Sequence, residues 1–96
     1  MIEIRQTQTY ARWFAGLADR RARARVLVRI RRLGLGNPGD LRPIGEGVSE
    51  LRIHYGPGYR VYLVRRGAGL IVLLTGGTKR TQKRDVQVAL RLARNL

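Results

Sequence analysis

The chain has 96 residues, of which 20 are Lys or Arg and six are Asp or Glu, so its net charge is +14. Its 44% hydrophobic content argues against a disordered basic tail and predicts one small domain over residues 1–96. The absence of Cys excludes disulfide scaffolds, Cys-ligated zinc and thiol nucleophiles, and a single His argues against a His-based metal cluster. No signal-like or membrane-spanning apolar run is present, so we expect a cytoplasmic protein whose charge attracts a polyanion.

The first half of the chain predicts a short strand followed by two helices. Ile2 and Ile4 alternate with charged residues, as in a strand. Apolar residues then recur at helical spacing from Tyr10 to Leu17, with Thr7 or Thr9 available as the N-cap. Asp19 is a plausible N-cap for a second helix that ends near Leu33, and this helix has arginines along its outer side. The Gly- and Pro-rich segment 34–47 predicts a connecting loop.

The second half predicts three antiparallel strands and a final helix. The alternating segments 50–55 and 59–64 are separated by a Gly-Pro-Gly turn, and the apolar run 70–74 is typical of a central strand covered on both faces. A C-terminal helix is expected from about Thr81, with an inner stripe of Val86, Ala89, Leu90 and Ala93.

Strand alternation predicts that one face carries Glu50, Arg52 and His54 and is displayed to solvent. Of these, Arg52 can surround one phosphate together with Arg60 and a basic cluster after the last strand. The cluster comprises Lys79, Arg80, Lys83 and Arg84. Guanidinium and ammonium groups bind phosphate and stabilise the negative charge that develops during phosphoryl transfer. Such a site can cleave RNA without a metal or other cofactor, because the 2′-OH of RNA supplies the nucleophile.

His54 is the first candidate for proton transfer, since it is the only side chain whose ordinary pKa lies near neutrality. The alternative is a half-exposed strand residue without chemistry. Likewise, Arg52 and Arg60 can form a solvated face that is paired with Glu50, and the strand tyrosines, Tyr59 among them, can either stack on RNA bases or pack in the core.

The order of elements and three motifs resemble the RelE/ParE superfamily of type II toxins, and most closely its HigB-like, phage-derived Gp49-like branch of addiction-module killer proteins. The motifs are Glu50-Leu51-Arg52-Ile53, Gly58-Tyr59-Arg60-Val61-Tyr62, and the segment from Leu73 through Gly76-Gly77-Thr78-Lys79 to Val86. The resemblance spans nearly the whole chain. It implies an α+β fold with two N-terminal helices packed on a small antiparallel sheet, made of a short N-terminal strand and a three-stranded meander, and a C-terminal helix.

The resemblance also implies a function, namely an mRNA interferase that cleaves mRNA, commonly on the ribosome, through attack of the 2′-OH. By position, Arg60 is similar to the arginine that contacts the scissile phosphate, Arg52 to a second basic strand residue, and Lys79 and Arg80 to a basic pair after the last strand. Two departures leave the proton-transfer residue open: Glu50 stands where some relatives carry lysine, and Val86 occupies the region of a C-terminal tyrosine. His54 or Lys79 would have to substitute.

We therefore expect an endoribonuclease toxin that inhibits translation and growth. Its catalytic residues would be Arg52, His54, Arg60 and Lys79, and its RNA-binding residues Tyr59, Arg80, Lys83 and Arg84. The expected partners are mRNA, the ribosome and a helix-turn-helix, HigA-like antitoxin. Two alternatives remain open: a ParE-type toxin that poisons gyrase, and a basic module that binds RNA or the ribosome without catalysis.

Overall fold

A computed structural model of the chain describes residues 2–96 and contains five strands and three α-helices. In chain order the elements are β1 (Glu3–Gln6), α1 (Gln8–Ala15), α2 (Arg20–Gly34), β2 (Leu41–Gly45), β3 (Val48–Ile53), β4 (Tyr59–Arg66), β5 (Leu70–Thr78) and α3 (Gln82–Arg94). A short 3₁₀ turn, Lys79–Thr81, leads from β5 into α3. None of the helices in this part of the chain is both long enough and apolar enough to span a bilayer.

The strands form one mixed sheet in the order β1-β5-β4-β3-β2. The expected meander of β3, β4 and β5 is confirmed, and both of its pairings are antiparallel. The expectation of a purely antiparallel sheet with four strands was wrong, because β1 pairs parallel to β5 and the predicted loop 34–47 contains β2. Strand β2 was not predicted because its glycine and proline are typical of a loop. It is an edge strand, in which Pro43 is tolerated because no further strand requires its missing N–H.

Local capping positions the two N-terminal helices as expected. The Thr7 hydroxyl accepts a hydrogen bond from the Tyr10 backbone N–H at 3.0 Å, and the Asp19 carboxylate accepts one from the Arg21 N–H at 2.9 Å. Both side chains satisfy backbone donors that a first helical turn leaves free. Helix α1 lies against β5 and α2 contacts β3, so both helices rest on the same face of the sheet.

Helix α3 covers the opposite face of the sheet. A first core, which includes Tyr10, Val26 and Leu51, lies between the sheet and the N-terminal helices. A second core lies under α3 and consists of the buried residues Val48, Tyr62, Val64, Val72, Leu74, Ala89 and Ala93. The predicted inner stripe of α3 is thereby confirmed. The expectation that the Glu50 face is displayed was wrong: α3 encloses it, and Glu50 is only 1% exposed.

Candidate functional site

The centre of the candidate site is the buried carboxylate of Glu50, which accepts four side-chain hydrogen bonds. Its donors are Arg52 Nε at 3.0 Å and Arg60 through a terminal guanidinium nitrogen at 2.9 Å. The Tyr62 hydroxyl donates at 3.0 Å and the Gln82 amide at 2.8 Å. We call these five residues the Glu50 cluster. Each carboxylate oxygen accepts two of these bonds, so the acceptor capacity of Glu50 is well used.

Sheet register brings the cluster together. Side chains two residues apart in a strand share a face, which places Glu50 and Arg52 side by side on β3. Glu50 is directly opposite Tyr62 on β4, and Arg52 is directly opposite Arg60. Gln82, the first residue of α3, then reaches the carboxylate from above the sheet. Two consecutive strands and a helix that is distant in sequence therefore share one ionised group.

The electrostatics keep Glu50 ionised and Tyr62 protonated. Burial by itself disfavours the Glu50 carboxylate, but hydrogen bonds from Arg52, Gln82 and Tyr62 and the charge of Arg60 outweigh it, so the pKa of Glu50 is lowered. Burial and the neighbouring Glu50 carboxylate raise the pKa of Tyr62. Because Glu50 holds its charge while it is surrounded by donors, it is suited to orienting arginines and poorly suited to accepting a proton from a substrate.

The two arginines retain donors that Glu50 does not use. Arg52 contacts Glu50 only through Nε and its side chain is 28% exposed, so its terminal nitrogens can reach a ligand. Arg60 is more enclosed, and its Nε is buried without a hydrogen-bond partner among the described residues. One carboxylate between two guanidinium groups leaves a net positive charge. The cluster can therefore bind an anion such as a phosphate in a fixed orientation.

A shallow groove of about 450 Å³ adjoins the cluster along the start of α3. Lys79, Arg80 and Lys83 line this groove, which we call the Lys79 groove, and Gln82 joins it to Glu50. Lys79 is held in place by its backbone N–H, which donates to the Gly58 carbonyl at 2.9 Å. The structure thus brings Arg52, Arg60, Lys79, Arg80 and Lys83 to one end of the sheet, next to the N-terminus of α3.

The Gly76-Gly77 pair near the end of β5 allows close packing beside this groove. A Cβ at Gly76 would collide with the ring of Trp13, and one at Gly77 would collide with the carboxylate of Asp85. Asp85 is buried and accepts a hydrogen bond from the Thr81 hydroxyl at 2.5 Å. Only glycine leaves room for these two close contacts, which explains its presence at both positions.

His54 lies away from the Glu50 cluster. Its Nε2 is 2.6 Å from the Asp40 carboxylate, and its ring is mostly exposed. It lines a second groove, beside the outer side of α2, together with Ile53. The expected grouping of His54 with Arg52 and Arg60 around one phosphate is therefore not what the structure shows, because the chain turns away from the sheet after Ile53.

Neither Tyr59 nor Arg84 lines the Lys79 groove. Tyr59 is buried in the first core, where its ring stacks on Tyr55 with centroids 6.5 Å apart. Arg84 is exposed, and its Nε is 3.8 Å from the Asp85 carboxylate. Sequence reasoning gave Gln82 no role, and it considered Tyr62 only for stacking on bases or packing in the core, not as a hydrogen-bond donor to Glu50. For Tyr62 a signal existed, since it lies on the same alternating face of its strand as Arg60.

A protein family and one relative each match most of the chain. The family of phage-derived Gp49-like proteins (DUF891) matches residues 12–95, and the chain belongs to this family, which is one of toxin–antitoxin toxins. A protein of Haemophilus influenzae that is described as uncharacterized is 44% identical over 95 residues, which cover 99% of this chain and 96% of that protein.

Proposed function

We propose that this protein is a HigB-like toxin of the RelE/ParE superfamily, and that it cleaves mRNA as an endoribonuclease, on the ribosome, to stop translation and growth. The observation that carries the proposal is the pair of arginines held by Glu50, with free or partly free donors beside the basic Lys79 groove. Membership of a toxin–antitoxin family supports it. We further propose that its antitoxin is a HigA-like helix-turn-helix protein.

In the proposed reaction the RNA supplies its own nucleophile. The 2′-oxygen forms a bond to phosphorus, its proton passes to water, and the bond from phosphorus to the 5′-oxygen breaks. The products are a 2′,3′-cyclic phosphate and a 5′-hydroxyl end. Arg52 and Arg60 would stabilise the charge that builds on the phosphoryl oxygens, because Glu50 has already fixed their orientation. The Lys79 ammonium would give its proton to the leaving 5′-oxygen, and Arg80 and Lys83 would hold the flanking phosphates.

The proposal assigns Glu50 and Gln82 to positioning and gives His54 no part in the reaction. Glu50 does not touch the RNA; it holds both guanidinium groups. The groove that His54 lines shares no lining residue with the Lys79 groove, which argues against His54 as the acid or base at this phosphate. The sequence analysis named His54 and Lys79 as candidates for proton transfer. Because His54 is set aside, the proposal assigns this role to Lys79.

The test is RNA cleavage by purified variants and in induced cells, with transcript 5′ ends mapped. We expect Arg52→Gln to lower the cleavage rate by about 10² or more, since it removes a donor aimed at developing charge. Arg65→Gln is the matched control, because it removes one exposed charge from β4 outside the cluster, and His54→Gln is expected to retain cleavage. Arg60→Ala is a poorer probe because Arg60 is buried against Glu50.

Two outcomes would contradict the proposal. Full cleavage by Arg52→Gln would remove Arg52 from the site. Unchanged transcripts, combined with inhibited gyrase supercoiling or with salt-sensitive RNA binding alone, would identify a gyrase poison or a non-catalytic binding module instead. Thermal unfolding of each variant separates lost chemistry from lost fold.

A further inference from the structure

The outer side of α2 carries a concentration of positive charge that the proposed reaction does not use. This helix contains seven arginines, and none of them is ion-paired with a carboxylate among residues 2–96. Four of the seven, Arg21, Arg25, Arg29 and Arg32, border one groove of about 520 Å³. Because they recur every three or four residues, they form a row about 16 Å long on one side of the helix.

The same groove has an apolar lining. Ala24, Val28 and Ile53 line it between the arginines and the end of β3, and the Val28 side chain is 47% exposed. Leu27, on the neighbouring part of α2, is also largely exposed. An apolar strip with a cationic border has the polarity that complements an amphipathic segment with acidic flanks.

Two of the four bordering arginines are already fixed in place. Arg29 donates to the carbonyl oxygens of Arg52 at 2.6 Å and Pro38 at 3.1 Å. Arg25 lies over the Tyr55 ring, with its guanidinium carbon 4.6 Å from the ring centroid. Side chains that are held before binding lose less entropy when a partner docks, which favours a partner of defined shape.

We propose that this groove, which we call the α2 groove, is a docking site for an acidic amphipathic helix of another protein. Three or four turns of such a helix match the length of the arginine row. Its apolar side would cover the exposed side chains of Ala24 and Val28, and its Glu or Asp side chains would pair with the arginines. A nucleic acid backbone would satisfy the charges but would leave the apolar strip uncovered, so the combination favours a polypeptide. The inference goes beyond RNA cleavage and does not depend on it.

The test is an NMR titration of the ¹⁵N-labelled full chain with a synthetic peptide of about 15 residues, which as a helix is about 22 Å long. The peptide carries Leu along one helical side and Glu along its flanks, and a second peptide has Gln in place of every Glu. We expect the acidic peptide to shift the amide signals of Val28, Ile53 and His54 while those at the Lys79 groove stay in place. The Gln peptide should bind at least about tenfold more weakly.

Charge and apolar contact are then separated by substitution. The double variant Arg21→Glu, Arg32→Glu should weaken binding about tenfold or more, and Val28→Glu should also weaken it. The double variant Arg65→Glu, Arg91→Glu changes the net charge by the same amount at two exposed arginines outside the groove, so it is the matched control and should bind as the parent does.

Three results would overturn the proposal. The first is the absence of shifts at millimolar peptide. The second is an equal loss in the double variant Arg65→Glu, Arg91→Glu, which would indicate attraction by net charge alone. The third is a groove that responds to a short RNA duplex and not to the peptide.

Discussion

Arginines on one side of the sheet are paired with a carboxylate, whereas those on α2, at the other side, have none within the part of the chain that the structure describes. Under α3, two arginines share one buried carboxylate and are held by it. On α2, none of the seven arginines is paired with a carboxylate among residues 2–96, although Arg29 is fixed by two carbonyl groups and Arg25 by an aromatic ring. Charge that is buried must be paired, whereas charge on an exposed helix can remain unpaired at little cost. The first arrangement is suited to orienting a phosphate, and the second to attracting a partner.

The largest effect is expected from Glu50→Ala. It leaves Arg60 buried without its counter-charge and Tyr62 without its acceptor, and breaking a buried pair in this way costs about 3–5 kcal/mol of unfolding free energy. Chemical denaturation measures the loss. Glu3→Ala, which breaks the exposed pair with Arg5, is the control and should leave the midpoint almost unchanged. Equal effects of the two variants would mean that the buried cluster contributes no more than a surface pair.

A smaller, graded effect is expected along α2. Arg29→Ala loses two charge-assisted hydrogen bonds to carbonyl groups, for a cost of about 2 kcal/mol. Arg25→Ala loses only the contact with Tyr55, about 0.5–1 kcal/mol. Arg32→Ala, which loses no hydrogen bond or ion pair within residues 2–96, should be nearly neutral. The order of the three unfolding midpoints is the measurement, and a reversed order would show that helix charge repulsion outweighs these contacts.

The smallest effect is the acid dependence of stability. The pKa of Glu50 is lowered in the folded chain, so its contribution is fully present above the ordinary value of 4.5 and is lost as pH falls through the lowered value. In Glu50→Gln this component is absent, and its unfolding free energy should fall less steeply below pH 4.5 than that of the parent. Asp19 and Asp40, whose pKa values are also lowered, keep part of the slope in both proteins. Identical slopes would contradict the ionised state of Glu50.

Sequence periodicity predicted most of the elements because it depends on local spacing. The caps at Thr7 and Asp19, the meander and the stripe of α3 all follow from residues close to one another in the chain. Strand β2 was missed because its five residues contain both Pro and Gly and carry no clear alternation. Its pairing with β3 supplies the order that its own sequence lacks.

The candidate site, like the fold, was predicted only in part from the sequence. The sequence by itself determined which residues share a face of a strand, and so grouped Glu50 with Arg52 and Arg60 with Tyr62. Only the tertiary structure decided that α3 covers that face, which turns Glu50 from a displayed carboxylate into a buried acceptor of four hydrogen bonds. It also decided that His54 lies beside α2, apart from the arginines that the sequence grouped with it. Alternation is a local property of the backbone, whereas burial and neighbourhood depend on contacts between residues that are distant along the chain.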